Sequence, residues 1–176
     1  GSQVSGYNGT TVSITAGNTS TGQNGGNIQL LTGSSALGNS GNAGIITSNG
    51  GTNGISGYIV MSTGVSSLGN SGSLYMGTGS SSSGRGGSIY VTVGSGSSGS
   101  GGNVLLSAGT SSSLSGGQIM IGTGYGSTTS SGVLSMTTAN SGASGMSGYI
   151  VMSTGVSSFG NSGSLYMGTG SSTSGR

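Results

Sequence analysis

Short apolar runs return along this chain at a fixed interval, and that interval is its strongest constraint. Aligned on the first apolar residue of each run, the positions are Val12, Ile28, Ile59, Leu74, Ile89, Val104, Ile119, Leu134, Ile150 and Leu165. From Ile59 to Leu134 each step is 15 residues, followed by one step of 16 and one of 15. A weaker run, Ile45-Ile46, fills the gap between Ile28 and Ile59, which makes eleven units of 15 or 16 residues. A longer period lies above this one. Residues 56–85 and 147–176 align at an offset of 91 and differ only at Leu68/Phe159 and Ser82/Thr173. Repetition on this scale directs attention to arrays of small units. Residues 1–176 are therefore expected to form a single array with a 91-residue super-repeat. As a fragment of a longer array, it is expected to continue past Arg176 with a run like Ile89-Tyr90-Val91.

Within a run the residues alternate with the period of two that belongs to a strand. One phase carries Ile59 and Met61, Leu74 and Met76, Ile89 and Val91, Val104 and Leu106, Ile119 and Ile121, Ile150 and Met152, and Leu165 and Met167. These are the expected core residues. Glycines at 64, 79, 94, 109, 124, 155 and 170 follow the runs, where a tight bend or a positive φ favours a residue without Cβ. Asn8-Gly9, Asn24-Gly25, Asn49-Gly50 and Asn53-Gly54 are further turn signals. A Ser-rich arc with an apolar marker (Leu37, Leu68, Leu114, Phe159) completes each unit. The expected fold is all-β: a β-solenoid or cross-β stack of eleven 15–16-residue strand–turn–arc units, with two facing units per coil. One unit is too small to fold alone, so stability would have to accumulate by stacking.

The opposite phase departs from what water-facing positions usually hold. Val60, Tyr75, Tyr90, Leu105, Met120, Val151 and Tyr166 occupy it, and a solvated strand face would be polar there. This stripe is expected to be an assembly surface, making the chain itself the principal partner in a homo-oligomer, filament or bundle.

Composition excludes most chemistry. The chain has no Asp, Glu, His, Cys, Lys, Trp or Pro, and its ionisable side chains are Arg85, Arg176 and seven tyrosines. No ordinary general acid or base is available at neutral pH, and no base stands beside the hydroxyls to activate one. An enzyme is not expected, and neither is a cofactor or a metal site. Two arginines cannot neutralise a nucleic-acid backbone or hold an anionic membrane. No apolar stretch approaches the roughly 18 residues that would span a bilayer, so membrane insertion is not expected.

Several features admit weaker functional readings. Gly94-Ser95-Gly96-Ser97-Ser98-Gly99 matches the dinucleotide-binding string, but another apolar run follows where a helix is required. Asn8-Gly9-Thr10 and Asn18-Thr19-Ser20 fit the N-glycosylation pattern. Tyrosines 58, 75, 90, 149 and 166 could bind a glycan, although stacking on one another is favoured. A threonine row (Thr32, Thr63, Thr78, Thr123, Thr138, Thr154, Thr169) has the regularity of an ice-binding ladder, but it lies in the core phase. An ice-binding or glycan-binding surface β-solenoid is accordingly the runner-up.

The string GGxΦxΦxxG with Ser-rich spacers, as in Gly101-Gly102-Asn103-Val104-Leu105-Leu106-Ser107-Ala108-Gly109, resembles the Gly/Ser-rich β-repeat arrays of secreted surface proteins of algae and protists. It is also loosely similar to silk-type and bacterial adhesin arrays. The resemblance covers nearly the whole chain and transfers no functional residue. It implies an extracellular or cell-surface fibre, sheath or adhesive-layer component.

Overall fold

The computed structural model describes residues 9–174, and among them there is no helix and no β-strand. This overturns the expected all-β fold. The chain is not a β-solenoid or a cross-β stack, and it is not a repeat protein built of stacked units. No described residue is buried, so the described residues form no hydrophobic core. The chain exposes 17975 Å², against about 7,500 Å² for a globule of this mass and about 24,000 Å² for the fully extended chain. Asn8, and Gly175 and Arg176 at the end of the second super-repeat copy, lie outside the described residues.

The chain divides into two units, Gly1–Ile89 and Tyr90–Arg176. In each, residues far apart in sequence seldom approach one another. What local order exists consists of loops closed at the neck. In the first unit the Cβ of Thr63 stands 3.4 Å from where a Cβ on Gly72 would be, and the Thr63 hydroxyl donates to the Gly72 carbonyl at 3.2 Å. Thr78 and Gly87 repeat the clasp at 3.2 Å, and Thr47 and Gly57 at 3.3 Å. Ala16 and Thr32 make the same approach to Gly26 and Gly41. There a backbone bond closes the neck, from Gly26 N–H to Gly17 C=O and from Gly41 N–H to Gly33 C=O, both 2.9 Å.

The second unit uses the same device. Ala108 meets Gly117 and Thr123 meets Gly132, with backbone bonds from Gly117 N–H to Gly109 C=O at 2.9 Å and from Gly132 N–H to Gly124 C=O at 3.0 Å. Thr138 donates to the Gly148 carbonyl at 3.1 Å, and Val93 and Thr154 lie against Gly102 and Gly163. Of the four described residues of intermediate exposure, three (Ala16, Thr47 and Ala108) are neck residues; the fourth is Gly126.

These necks explain the mixture of 15- and 16-residue steps. Thr63 to Gly72, Thr78 to Gly87 and Thr123 to Gly132 each span nine residues, whereas Thr47 to Gly57 and Thr138 to Gly148 span ten. Between necks the run is constant, as in 57–63, 72–78, 117–123 and 148–154. The additional residue is therefore always taken up by the loop. The phase of the apolar run is preserved, because an insertion inside it would exchange its two faces.

Inside the loops, serine hydroxyls accept from backbone N–H groups three residues on. Gly38 N–H reaches Ser35 Oγ at 2.9 Å, Gly69 reaches Ser66 at 3.0 Å, Gly84 reaches Ser81 at 2.9 Å and Leu114 reaches Ser111 at 3.0 Å. Each pins a bend, at 36–38, 67–69, 82–84 and 112–114. Serine does this because its short side chain can take the place of a backbone acceptor in a turn.

The absence of strands has a physical cause in the same contacts. A ladder needs a second backbone alongside the first, supplying a donor and an acceptor at alternate residues. Here a neck supplies at most one bond, in four loops from a backbone N–H and in four from a threonine hydroxyl. Beyond it the described arms make no further backbone hydrogen bonds to each other. Ordering a glycine-rich loop costs more conformational entropy than an ordinary one, and no buried apolar surface offsets it.

The glycines expected to need bends are not the ones that do. Gly64, Gly79, Gly94, Gly109, Gly124, Gly155 and Gly170 have open space where a Cβ would stand, and none has a positive φ. Positive φ occurs only at Gly22 and Gly99 among the described residues. The glycines that allow a close approach stand instead two residues before each apolar run, at the necks.

Candidate functional site

The candidate site is the apolar stripe, and the structure leaves all of it in contact with solvent. Tyr90, Leu105, Met120 and Tyr166 are 86–90% exposed, as is Tyr75, while Val60 and Val151 are 71% exposed. The residues expected to form a core are exposed too, but to a lesser degree. Ile59, Met61, Leu74, Ile89, Val104, Ile119, Ile150, Met152 and Leu165 cluster at 51–56%. Met76, Val91, Leu106, Ile121 and Met167 are more open.

This difference between the two phases has a local origin. Two positions after the neck glycine, Ile59, Leu74, Ile89, Val104, Ile119, Ile150 and Leu165 are 51–56% exposed, whereas the next residue, in the other phase, is 71–90% exposed. The alternation legible in the sequence thus survives as a difference in exposure, without a sheet to carry it. The loop markers Leu37, Leu68 and Phe159 are 102–103% exposed, and Leu114 is 84% exposed. They are not packed, although the Leu68/Phe159 exchange keeps the position apolar, as a packed one would be.

One concavity in the first unit shows what the arms offer. Leu30, Leu31 and Thr32 on one side and Ala43, Gly44 and Ile45 on the other line an open apolar hollow of about 460 Å³. It contains no charged or ionisable group. Ligand sites normally combine an apolar lining with a few convergent polar groups that fix orientation, and these are missing here.

The polar rows are engaged or dispersed. Thr63, Thr78 and Thr138 of the threonine row donate their hydroxyls to neck carbonyls, so these hydroxyls close loops. Tyr58, Tyr75, Tyr149 and Tyr166 are 86–90% exposed. No group of metal-binding side chains is found among the described residues, and no helix is long and apolar enough to cross a membrane.

Two features of the site were not anticipated from the sequence. The neck glycines (Gly57, Gly72, Gly117 and their equivalents) hold each run's starting point against the end of the previous one. Serines 35, 66, 81 and 111 set the bend three residues beyond the neck. The signal was available in the constant spacing of Thr63-x-x-Ser66 and Thr78-x-x-Ser81, which composition-rich Gly/Ser background conceals. Comparison with known protein families, with curated proteins and with solved structures finds no match to this chain.

Proposed function

We propose that the chain is a structural component of an extracellular fibre, sheath or adhesive layer, and that its copies associate through the apolar stripe. The observation that carries this reading is the exposure of large apolar side chains at every run, 86–90% at Tyr75, Tyr90, Leu105, Met120 and Tyr166. Few soluble monomers tolerate a regular series of such residues in water. Burying one is worth about 1.5–3 kcal/mol. A formal charge of +2 over 176 residues offers little repulsion to oppose association. Association through apolar side chains takes the place of the strand stacking that the single chain lacks.

Catalysis has no place in this reading, since no carboxylate, imidazole, thiol or amine side chain exists to carry it. The extracellular assignment rests on the likeness of the Gly/Ser-rich units to secreted surface arrays.

Sedimentation velocity over a concentration series tests the proposal. The expected result is a monomer at high dilution that gives way to large species as concentration rises, with mild chaotrope reversing the change. A monomer at every concentration up to the solubility limit would overturn it.

A further inference from the structure

The chain contains no acidic side chain, yet it holds four Asn–Gly pairs, at 8, 24, 49 and 53, while every other asparagine precedes a residue that has a Cβ. An exposed asparagine followed by glycine can convert itself to an acid. The backbone nitrogen of the glycine gives up its proton and attacks the asparagine Cγ, forming a C–N bond. The bond from Cγ to the amide nitrogen breaks and ammonia leaves with that proton. Water then opens the resulting five-membered imide at either carbonyl, giving aspartate or isoaspartate. The overall change is hydrolysis of one amide by one water, with no redox partner. Two things control it: whether the glycine N–H is free, and whether the nitrogen can swing to Cγ without obstruction.

The structure separates the pairs on both counts. Asn24, Asn49 and Asn53 are all exposed. Gly54 N–H is bound to the Gly51 carbonyl at 3.0 Å within the turn at 52–53, so the nucleophile of the Asn53 pair is held. Gly50 N–H makes no backbone bond, but a Cβ there would stand 2.7 Å from the Gly54 carbonyl oxygen, so its backbone is wedged. Gly25 has neither restraint. Its N–H makes no backbone bond, and a Cβ built on it would meet only the Gly17 carbonyl oxygen, at 3.8 Å.

We infer that Asn24–Gly25 is a site of spontaneous amide-to-carboxylate conversion, and that Asn53–Gly54 lags behind it. The modification gives the chain a side-chain carboxylate that its sequence does not encode, and lowers the formal charge by one for each event. Two events take it from +2 to zero, the point at which electrostatic resistance to association is lowest. The site stands whether or not the chain self-associates.

The test follows the full chain during incubation in mildly alkaline buffer, by isoelectric focusing and by peptide mapping that distinguishes isoaspartate. Gly25→Ala serves as the partner variant, because its Cβ hinders the attack while fitting the loop without displacement. The expected result is an acidic species in which Asn24 is converted, with Asn53 converted later. In Gly25→Ala conversion at 24 is lost while the other pairs proceed as before. Conversion at Asn53 keeping pace with Asn24, persistence at 24 in Gly25→Ala, or no conversion at 24 in the parent chain would each overturn the inference.

Discussion

Replacing Tyr90, Leu105 and Met120 together by lysine should weaken self-association far more than any change in local structure. The three side chains are 86–88% exposed, so the substitution removes little contact within the single chain. In an assembly that covers them, each contributes about 1.5–3 kcal/mol. Even the low end gives about 4.5 kcal/mol for the three, or roughly a thousandfold in the association constant at about 1.4 kcal/mol per factor of ten. The lysines also raise the formal charge from +2 to +5, which adds repulsion. A second variant, Ser97→Lys, Ser112→Lys and Ser127→Lys, adds the same charge in the loops and leaves the stripe intact. Light scattering and sedimentation of both against the parent chain separate the contributions. The stripe variant should remain monomeric at concentrations where the loop variant still assembles. Equal loss in the two would show that charge alone governs association, and would refute the assignment of the stripe.

Two further outcomes follow from the necks and the missing core. Gly126→Ala should open the loop between Thr123 and Gly132, because its Cβ would stand 2.5 Å from the Ser130 carbonyl oxygen and 3.0 Å from that of Thr129. The cost is about 1 kcal/mol for the lost bond from Gly132 N–H to Gly124 C=O, read as an amide shift at Gly132. Gly109→Ala, with open space around it, should leave its own neck unchanged. Calorimetry of the dilute chain should show no cooperative transition, where a folded globule of this length would give a heat-capacity step of about 2 kcal/mol/K; such a step would contradict the absence of a core.

The sequence made the period and the phase legible but left the ladder undetermined. Ile59 and Met61 differ in exposure from Val60 in the direction their alternation implies, 51% against 71%. The loop lengths account for each 16-residue step. Alternation reports which side chains share a face; it does not report whether a second backbone lies within hydrogen-bonding distance. That depends on whether burial offsets the entropy of ordering loops such as Gly94–Gly101, and here it does not. Thr63 illustrates the gap. Its place in the core phase was visible, but its bond to the Gly72 carbonyl could be found only in three dimensions. The stripe's residues were likewise identified by phase, with their exposure left to the structure.

Amide hydrogen exchange of the chain at high dilution and after assembly tests the central claim most directly. The account predicts near-intrinsic exchange throughout the dilute chain, with slight protection confined to hydrogen-bonded amides such as those of Gly26, Gly41, Gly117 and Gly132 at the necks, Gly54 in its turn, and Gly38, Gly69, Gly84 and Leu114 at the serine bends. Protection should then spread to the apolar runs, such as 102–108 and 117–123, only when assemblies form. Blocks of strong protection returning with each apolar run in the dilute monomer would contradict it.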